Sequence, residues 1–164
     1  MSYDAAAEKK RGLDREHELV ALFGWIPSST RDNIDKDIDA YTQKGTSISI
    51  KSIGATTFQR TGNLAFELEV FDEVMGWEDA WYRRGQAKKY VFDIAGRGVY
   101  VIDVAELHKY VEQYGWDRIA QLRPSTREGQ RDMGHRHTNA RVGLVALSAL
   151  TRLGITKRLL LPES

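Results

Sequence analysis

The residues of this chain best suited to chemistry are carboxylates and one lysine, spaced so that few elements could gather them. Ser47, Ser49 and Lys51 have the two-residue spacing that puts side chains on one face of a strand, and Asp37 and Asp39 share a face by the same parity. Antiparallel pairing of these two stretches would bring at least one aspartate beside Lys51. Glu67 and Glu69 repeat the spacing on a third candidate strand, opposite its apolar residues, so four acids and one lysine can converge on one polar patch. Glu16 and Glu18, on a helix upstream, add further carboxylates. The chain has no cysteine, which excludes a disulfide framework, a thiolate zinc site, an iron–sulfur cluster and a cysteine nucleophile. Catalysis would then fall to carboxylates, Lys, His, Ser or a bound metal. Ser47 and Ser49 have no His–Asp arrangement nearby, which argues against a serine hydrolase. The competing account is that a strand burying its apolar face simply presents Asp, Ser and Lys to water.

The elements that would position these groups follow from periodicity. Residues 4–23 read as a helix, with Leu13, Leu19, Leu22 and Phe23 near helical spacing and Gly24 ending the run, and Ser28 to Thr30 as a loop. Residues 37–42 and 46–53 alternate around Gln43-Lys44-Gly45 and read as a β-hairpin. Residues 64–70 form a third strand, with Leu64, Phe66, Leu68 and Val70 on one face, and residues 77–87 a bridging helix. Residues 89–94 and 99–102 flank Gly96-Arg97-Gly98 as a second hairpin; no helix follows that turn, so it does not read as a phosphate cradle. Residues 105–114 are amphipathic and helical. Residues 123–140 lack periodicity and read as a long loop, after which 142–150 and 159–161 return to the core. At 164 residues this is one domain, an α/β sandwich around a central mixed β-sheet flanked by helices.

A helix carboxylate, an Asp on a strand and an x-Lys on the next strand resemble the PD-(D/E)xK nuclease superfamily, in its Holliday-junction-resolvase and phage endonuclease branch. Gly12-Leu13-Asp14-Arg15-Glu16-His17-Glu18-Leu19-Val20 looks like the resolvase first helix, with a Gly four residues before the first metal-site Glu. Asp37-Ile38-Asp39-Ala40-Tyr41 looks like the Asp-bearing strand, and Gly45-Thr46-Ser47-Ile48-Ser49-Ile50-Lys51 like the turn glycine and the strand ending in acid-x-Lys. Residues 61–67, Gly76-Trp77, Ala87 and Tyr90-Val91-Phe92 resemble segments of phage-encoded nucleases of this type. The likeness covers roughly residues 8–103. It departs from the family in two places: Lys36 stands where Pro often precedes the Asp, and Ser49 stands where the family has Asp or Glu.

The resemblance implies a restriction-endonuclease-like core at about residues 8–115, followed by a basic loop at 123–141 and a C-terminal core segment. It implies Mg²⁺ or Mn²⁺ as cofactor, with Asp37 as central ligand, Glu16 holding the metal or its water, and the Ile50 carbonyl and Glu67 completing the shell. Glu67 or Glu69 would take over from the acid missing at Ser49, and Glu18 and Asp39 are the alternates of their pairs. Lys51 would orient or deprotonate the attacking water, leaving a 5′-phosphate. The implied activity is that of a metal-dependent DNA endonuclease, structure-specific or junction-resolving, acting as a homodimer on branched or duplex DNA and phage-encoded in a bacterial host. A site-specific homing or restriction-like enzyme shares this core. Ser49 also fits a non-catalytic DNA-binding module with a degenerate site, and a structural or assembly protein could carry such a hairpin by chance.

Net charge is only +1, from 24 basic and 23 acidic residues, yet its distribution is uneven. Residues 61–82 hold six acids and no Lys or Arg. Arg83, Arg84, Lys88 and Lys89 then form a basic block, and Arg123, Arg127, Arg131, His135, Arg136, His137 and Arg141 a second one. Arg83, Arg84 and Lys88 together with the second block are the candidate phosphate contacts, since DNA affinity comes largely from such groups; the alternatives are solvated faces and a soluble loop. His135 and His137 lack an acidic partner in sequence, which argues against a metal pair. Trp25, Trp77, Trp81 and Trp116 read as core rather than base-stacking residues. The charged N-terminus lacks the apolar run of a secretory signal, and no apolar stretch is long enough to cross a bilayer, so the expectation is an intracellular, cytoplasmic protein.

Overall fold

This computed structural model describes residues 5–54, 61–122 and 137–162. In chain order these form α1 (Ala5–Leu22), β1 (Ile26–Pro27), α2 (Thr30–Lys36), β2 (Ala40–Tyr41), β3 (Ser47–Ile53), β4 (Asn63–Asp72), β5 (Gly76–Asp79), α3 (Trp81–Arg84), β6 (Lys89–Ile94), β7 (Gly98–Asp103), α4 (Val104–Tyr114), β8 (Arg118–Leu122), β9 (His137–Ala146), α5 (Leu147–Arg152) and β10 (Thr156–Leu159). The strands divide into a six-stranded sheet, ordered β1-β2-β3-β6-β7-β10, and a four-stranded antiparallel sheet, ordered β5-β4-β9-β8. The first sheet is mixed, because β3 and β6 run parallel while its other pairs are antiparallel.

Hydrophobic pattern decides which strand neighbours β3. In β6, Tyr90, Val91, Phe92 and Ile94 are all buried, so both faces are apolar and the strand suits a central, parallel position. In β4 the buried apolar residues, Leu64, Phe66 and Leu68, alternate along the strand, which suits a sheet with one covered face. The third strand of the sequence reading therefore forms, but it belongs to the second sheet and β6 lies beside β3 instead.

Two apolar clusters hold the layers together. Leu19 and Val20 of α1 pack with Ala40, Ile48, Ile50, Val91 and Val99 on one face of the six-stranded sheet. On the other face, Tyr90, Phe92, Ile94 and Ile102 meet Leu64, Phe66 and Val145 of the second sheet, with Leu107 of α4 and Leu150 of α5. Phe66 is the hub, 5.5 Å from both Phe92 and Trp116 between ring centroids. Gly143 on β9 sits directly under Trp116, and a Cβ there would collide with the indole.

Several local expectations change. Of the loop expected at 28–30, Ser28 and Ser29 are loop, between β1 and α2, whereas Thr30 starts α2, with Ser29 accepting a hydrogen bond from the Asp32 N–H at 3.1 Å as N-cap. The strand expected at 37–42 shortens to Ala40–Tyr41, because α2 runs to Lys36 and Asp37 closes it with φ 53°. The helix expected at 77–87 is only Trp81–Arg84, since Gly76–Asp79 pairs with β4 as a strand. Two further strands, β8 and β9, occupy Arg118–Leu122 and His137–Ala146, so the end of the expected loop at 137–140 is strand; the rest of that loop, 123–136, lies outside the described residues.

Candidate active site

Four elements bring charged groups to one pocket of about 360 Å³, whose lining includes Glu16, Asp37, Asp39, Ile50 and Lys51. Glu16 reaches it from α1. It lies one turn before Leu19 and Val20, which are buried against the sheet, so its carboxylate is carried on the sheet-facing side of the helix. Glu18 is exposed and bonded to Arg15 at 3.0 Å, and Arg15 is in turn anchored to Asp93 of β6 at 3.0 Å. Of that pair, only Glu16 lines the pocket.

Asp37 and Asp39 both line the pocket, although only parity on a strand had suggested it. Asp37 is the left-handed cap of α2 and, among the described residues, the one non-glycine with positive φ. An aspartate tolerates this conformation at some cost. Its Oδ2 accepts hydrogen bonds from Ser49 Oγ at 3.0 Å and from Lys51 Nζ at 2.8 Å. Ser49, fully buried, is thus a donor to Asp37. Asp39 is held at both oxygens, by the Ile50 N–H at 2.6 Å and by the Asn33 amide at 2.6 Å. Asn33 also lines the pocket and was not foreseen; its distance of six residues from Asp39, across a helix end, leaves no periodic signal.

The electrostatics follow from crowding three carboxylates around one ammonium. Burial, then the charge and hydrogen bond of Asp39, push Glu16 up to about 7 from an ordinary 4.5, against the pull of Lys51. Burial also raises Asp39, while the Ile50 N–H and Lys51 oppose that rise and Asp37 adds to it. The charged forms of Glu16 and Asp39 are thus both disfavoured by burial, and that of Glu16 also by the neighbouring Asp39 carboxylate. Lys51 is placed by two contacts, the Asp37 carboxylate and the face of Trp81, whose ring centroid is 4.2 Å from Nζ. Trp81 comes from α3, which packs against β4, so the second sheet reaches the site through this ring.

The remaining candidates lie elsewhere. Glu67 is on β4 opposite Val142, in the second sheet, and does not line the pocket. Glu69 bonds Arg141 at 3.2 Å and lies 3.5 Å from Arg83, so this acid is held by two guanidiniums. Neither stands on a strand neighbouring β3, and the expected replacement of the acid missing at Ser49 has Asp39 as its nearer candidate. Of the candidate phosphate contacts, Arg83 and Arg141 are paired with Glu69, and Arg141 also stacks on Trp77 at 3.9 Å. Arg84 and Lys88 are exposed, Lys88 lying beyond the end of α3. His137 is the first residue of β9, and Arg123, Arg127, Arg131, His135 and Arg136 lie outside the described residues. All four tryptophans have aromatic neighbours, Trp25 stacking on Phe23 at 4.7 Å.

Among the described residues, no three Asp, Glu or His side chains close on one point as a preformed metal cage. The donor set nonetheless fits Mg²⁺ or Mn²⁺. Such ions keep several waters and are commonly held by one or two carboxylates together with substrate phosphate. Glu16 and Asp39, adjacent and short of positive charge, are such a pair, with Asp37 beside them. No protein family matches the chain, and no curated protein matches it. No helix among the described residues is long and apolar enough to cross a membrane.

Proposed function

We propose that this protein is a metal-dependent DNA endonuclease with a PD-(D/E)xK-type, restriction-endonuclease-like core, structure-specific or junction-resolving and working as a homodimer. The observation that carries the reading is the meeting of Glu16, Asp37, Asp39 and Lys51, from α1, the end of α2, the start of β2 and β3, in one open pocket. Glu16, Asp37, Asp39 and the Ile50 carbonyl are the groups that would hold the ion. A bound Mg²⁺ or Mn²⁺ supplies Lewis-acid stabilisation of the phosphate and lowers the pKa of a coordinated water.

The chain's own contribution is orientation and charge. Ile50 N–H and the Asn33 amide fix the Asp39 carboxylate, so it needs no reorganisation on binding. Lys51, held between Asp37 and Trp81, donates from Nζ to a phosphate oxygen as negative charge builds there and orients the attacking water. Hydrolysis forms a bond from the water oxygen to phosphorus and breaks the bond to O3′, leaving a 5′-phosphate. Ser49 favours one second reading, a DNA-binding module with a degenerate site, because it supplies a hydroxyl where an acid would add a ligand.

Cleavage of a four-way junction, a matched linear duplex and a supercoiled plasmid, each with Mg²⁺ or EDTA, by wild type and Lys51→Ala separates these readings. Junction cutting that needs both metal and Lys51 supports the proposal, and plasmid cutting at discrete sites assigns a sequence-specific endonuclease. Retained DNA binding without cleavage of any substrate would establish the binding module.

A further inference from the structure

Ser49 is fully buried on β3 and does not line the pocket; its hydrogen bond to the site runs to Asp37. Two residues apart on one strand, Ser49 and Lys51 stand on the same face, and both donate to the same oxygen, Asp37 Oδ2, at 3.0 and 2.8 Å. Two donors fill the two lone pairs of that oxygen. Among the described residues Asp37 Oδ1 accepts no hydrogen bond, so Asp37 has one oxygen left for an ion. Asp39 already carries a donor on each oxygen, the Asn33 amide on one and the Ile50 N–H on the other.

Charge sets a second limit. The acids in the pocket lining are Glu16, Asp37 and Asp39, and its other titratable groups are His17 and Lys51. With the three acids ionised, Lys51 charged and His17 neutral, the group carries −2, which one divalent ion cancels. A second ion would stand about 3.5–4 Å from the first, where two dications repel four times as strongly as unit charges. Holding it there takes a further carboxylate, or one with an open oxygen toward each ion. Glu69 is clasped by Arg83 and Arg141, and Glu67 pairs across the second sheet with Val142, outside the lining. The position in contact with Asp37 that could add a carboxylate is Ser49, and there the side chain is a neutral donor.

We propose that the centre holds one divalent ion per chain and that Ser49 sets this number, by filling Asp37 Oδ2 with a neutral donor where a carboxylate would open a second ion site. The proposal rests on the metal-dependent reading above, and its test needs neither DNA nor cleavage. Mn²⁺ is titrated at pH 8 into wild type, Ser49→Ala, Ser49→Thr and Ser49→Asp, with stoichiometry read by calorimetry, the bound ion by electron paramagnetic resonance and folding by circular dichroism. Wild type is expected to bind one ion per chain with the spectrum of isolated Mn²⁺ at every loading. Ser49→Ala keeps that count but binds about tenfold more weakly, because the partner that orients Asp37 is gone, and Ser49→Thr, which keeps the hydroxyl, restores the affinity. Ser49→Asp takes up a second ion and shows the exchange-coupled spectrum of a pair; if it does not fold, the wild-type count and the Ser49→Ala affinity decide. Two ions per wild-type chain, or Ser49→Ala binding as tightly as wild type, overturns the proposal and leaves the metal-dependent reading standing. Wild type that binds no Mn²⁺ overturns both.

Discussion

Acidic residues crowd two regions of the molecule, and the two treat them in opposite ways. On the six-stranded sheet, Glu16, Asp37 and Asp39 share a pocket with one ammonium, and burial leaves Glu16 and Asp39 reluctant to ionise. On the four-stranded sheet, Glu69 is clasped by Arg83 and Arg141, and Asp72 spends an oxygen on the N–H groups of Val74 and Met75 at 2.7 and 2.9 Å. The first region has a deficit of positive charge that a cation can fill. The second is already neutralised. The sequence carries more acids in the second region than in the first, so local balance, not the number of carboxylates, makes a candidate site.

The sharpest way to break this contrast is mutation of the groups that would act. Asp39→Asn and Lys51→Ala are each expected to lower metal-dependent cleavage by about 100-fold or more, the usual scale for losing a positioned charge or proton carrier, with folding intact by circular dichroism. Trp81→Ala removes one of the two contacts on Lys51 and is expected to cost less, about tenfold in kcat with little change in KM, with Trp81→Phe restoring most of it because the ring face remains. Retention of full activity in Trp81→Ala would show that Asp37 alone places the lysine.

Smaller effects belong to stability. Gly143→Ala presses a methyl into Trp116 and is expected to lower unfolding free energy by about 1–3 kcal/mol in urea titrations, without moving the metal dependence of cleavage. Glu16 gives a pH signature. Its folded value, about 7, lies above the ordinary 4.5, so its stabilising contribution is full below about 4.5 and is lost as pH rises through 7. In EDTA, Glu16→Gln should therefore melt higher than wild type at pH 8 by the equivalent of about 1–2 kcal/mol, and the gap should narrow toward pH 5. Added Mg²⁺ should stabilise wild type most at pH 8 and reverse that order. Smallest of all, Glu69→Gln is expected to change stability by less than about 1 kcal/mol, as for a part-exposed pair, and cleavage by less than twofold. A large loss of cleavage in Glu69→Gln would erase the distinction between the two regions.

Much of this was legible in the sequence because it is local. The α1 periodicity, the alternation of β3, the Gly96–Gly98 hairpin and the amphipathic α4 all appear near where they were read. What failed was partnership between distant segments. Glu67 and Glu69 have the same two-residue spacing as Ser49 and Lys51, yet they lie in another sheet, because the doubly buried β6 takes the place beside β3. Short elements failed for a different reason. α2 carries a single large apolar residue, Ile34, which is exposed, so no periodicity announces it; its visible trace is Ser29 three residues before Asp32. Residues 77–81 place Trp77, Ala80 and Trp81 at helical spacing, but pairing with β4 holds Gly76–Asp79 extended. At the site itself, parity suggested Asp37 and Asp39 together; the left-handed turn at Asp37 that lets both reach the pocket is invisible to a pattern of alternation.

The most direct test of the central claim is calorimetric titration of Mn²⁺ into wild type, Asp39→Asn and Glu69→Gln in the absence of DNA. The account predicts that Glu69→Gln binds the ion as wild type does and that Asp39→Asn loses it, with proton release on wild-type binding that grows as pH falls from 8 toward 7. Equal Mn²⁺ binding by Asp39→Asn and wild type would contradict it.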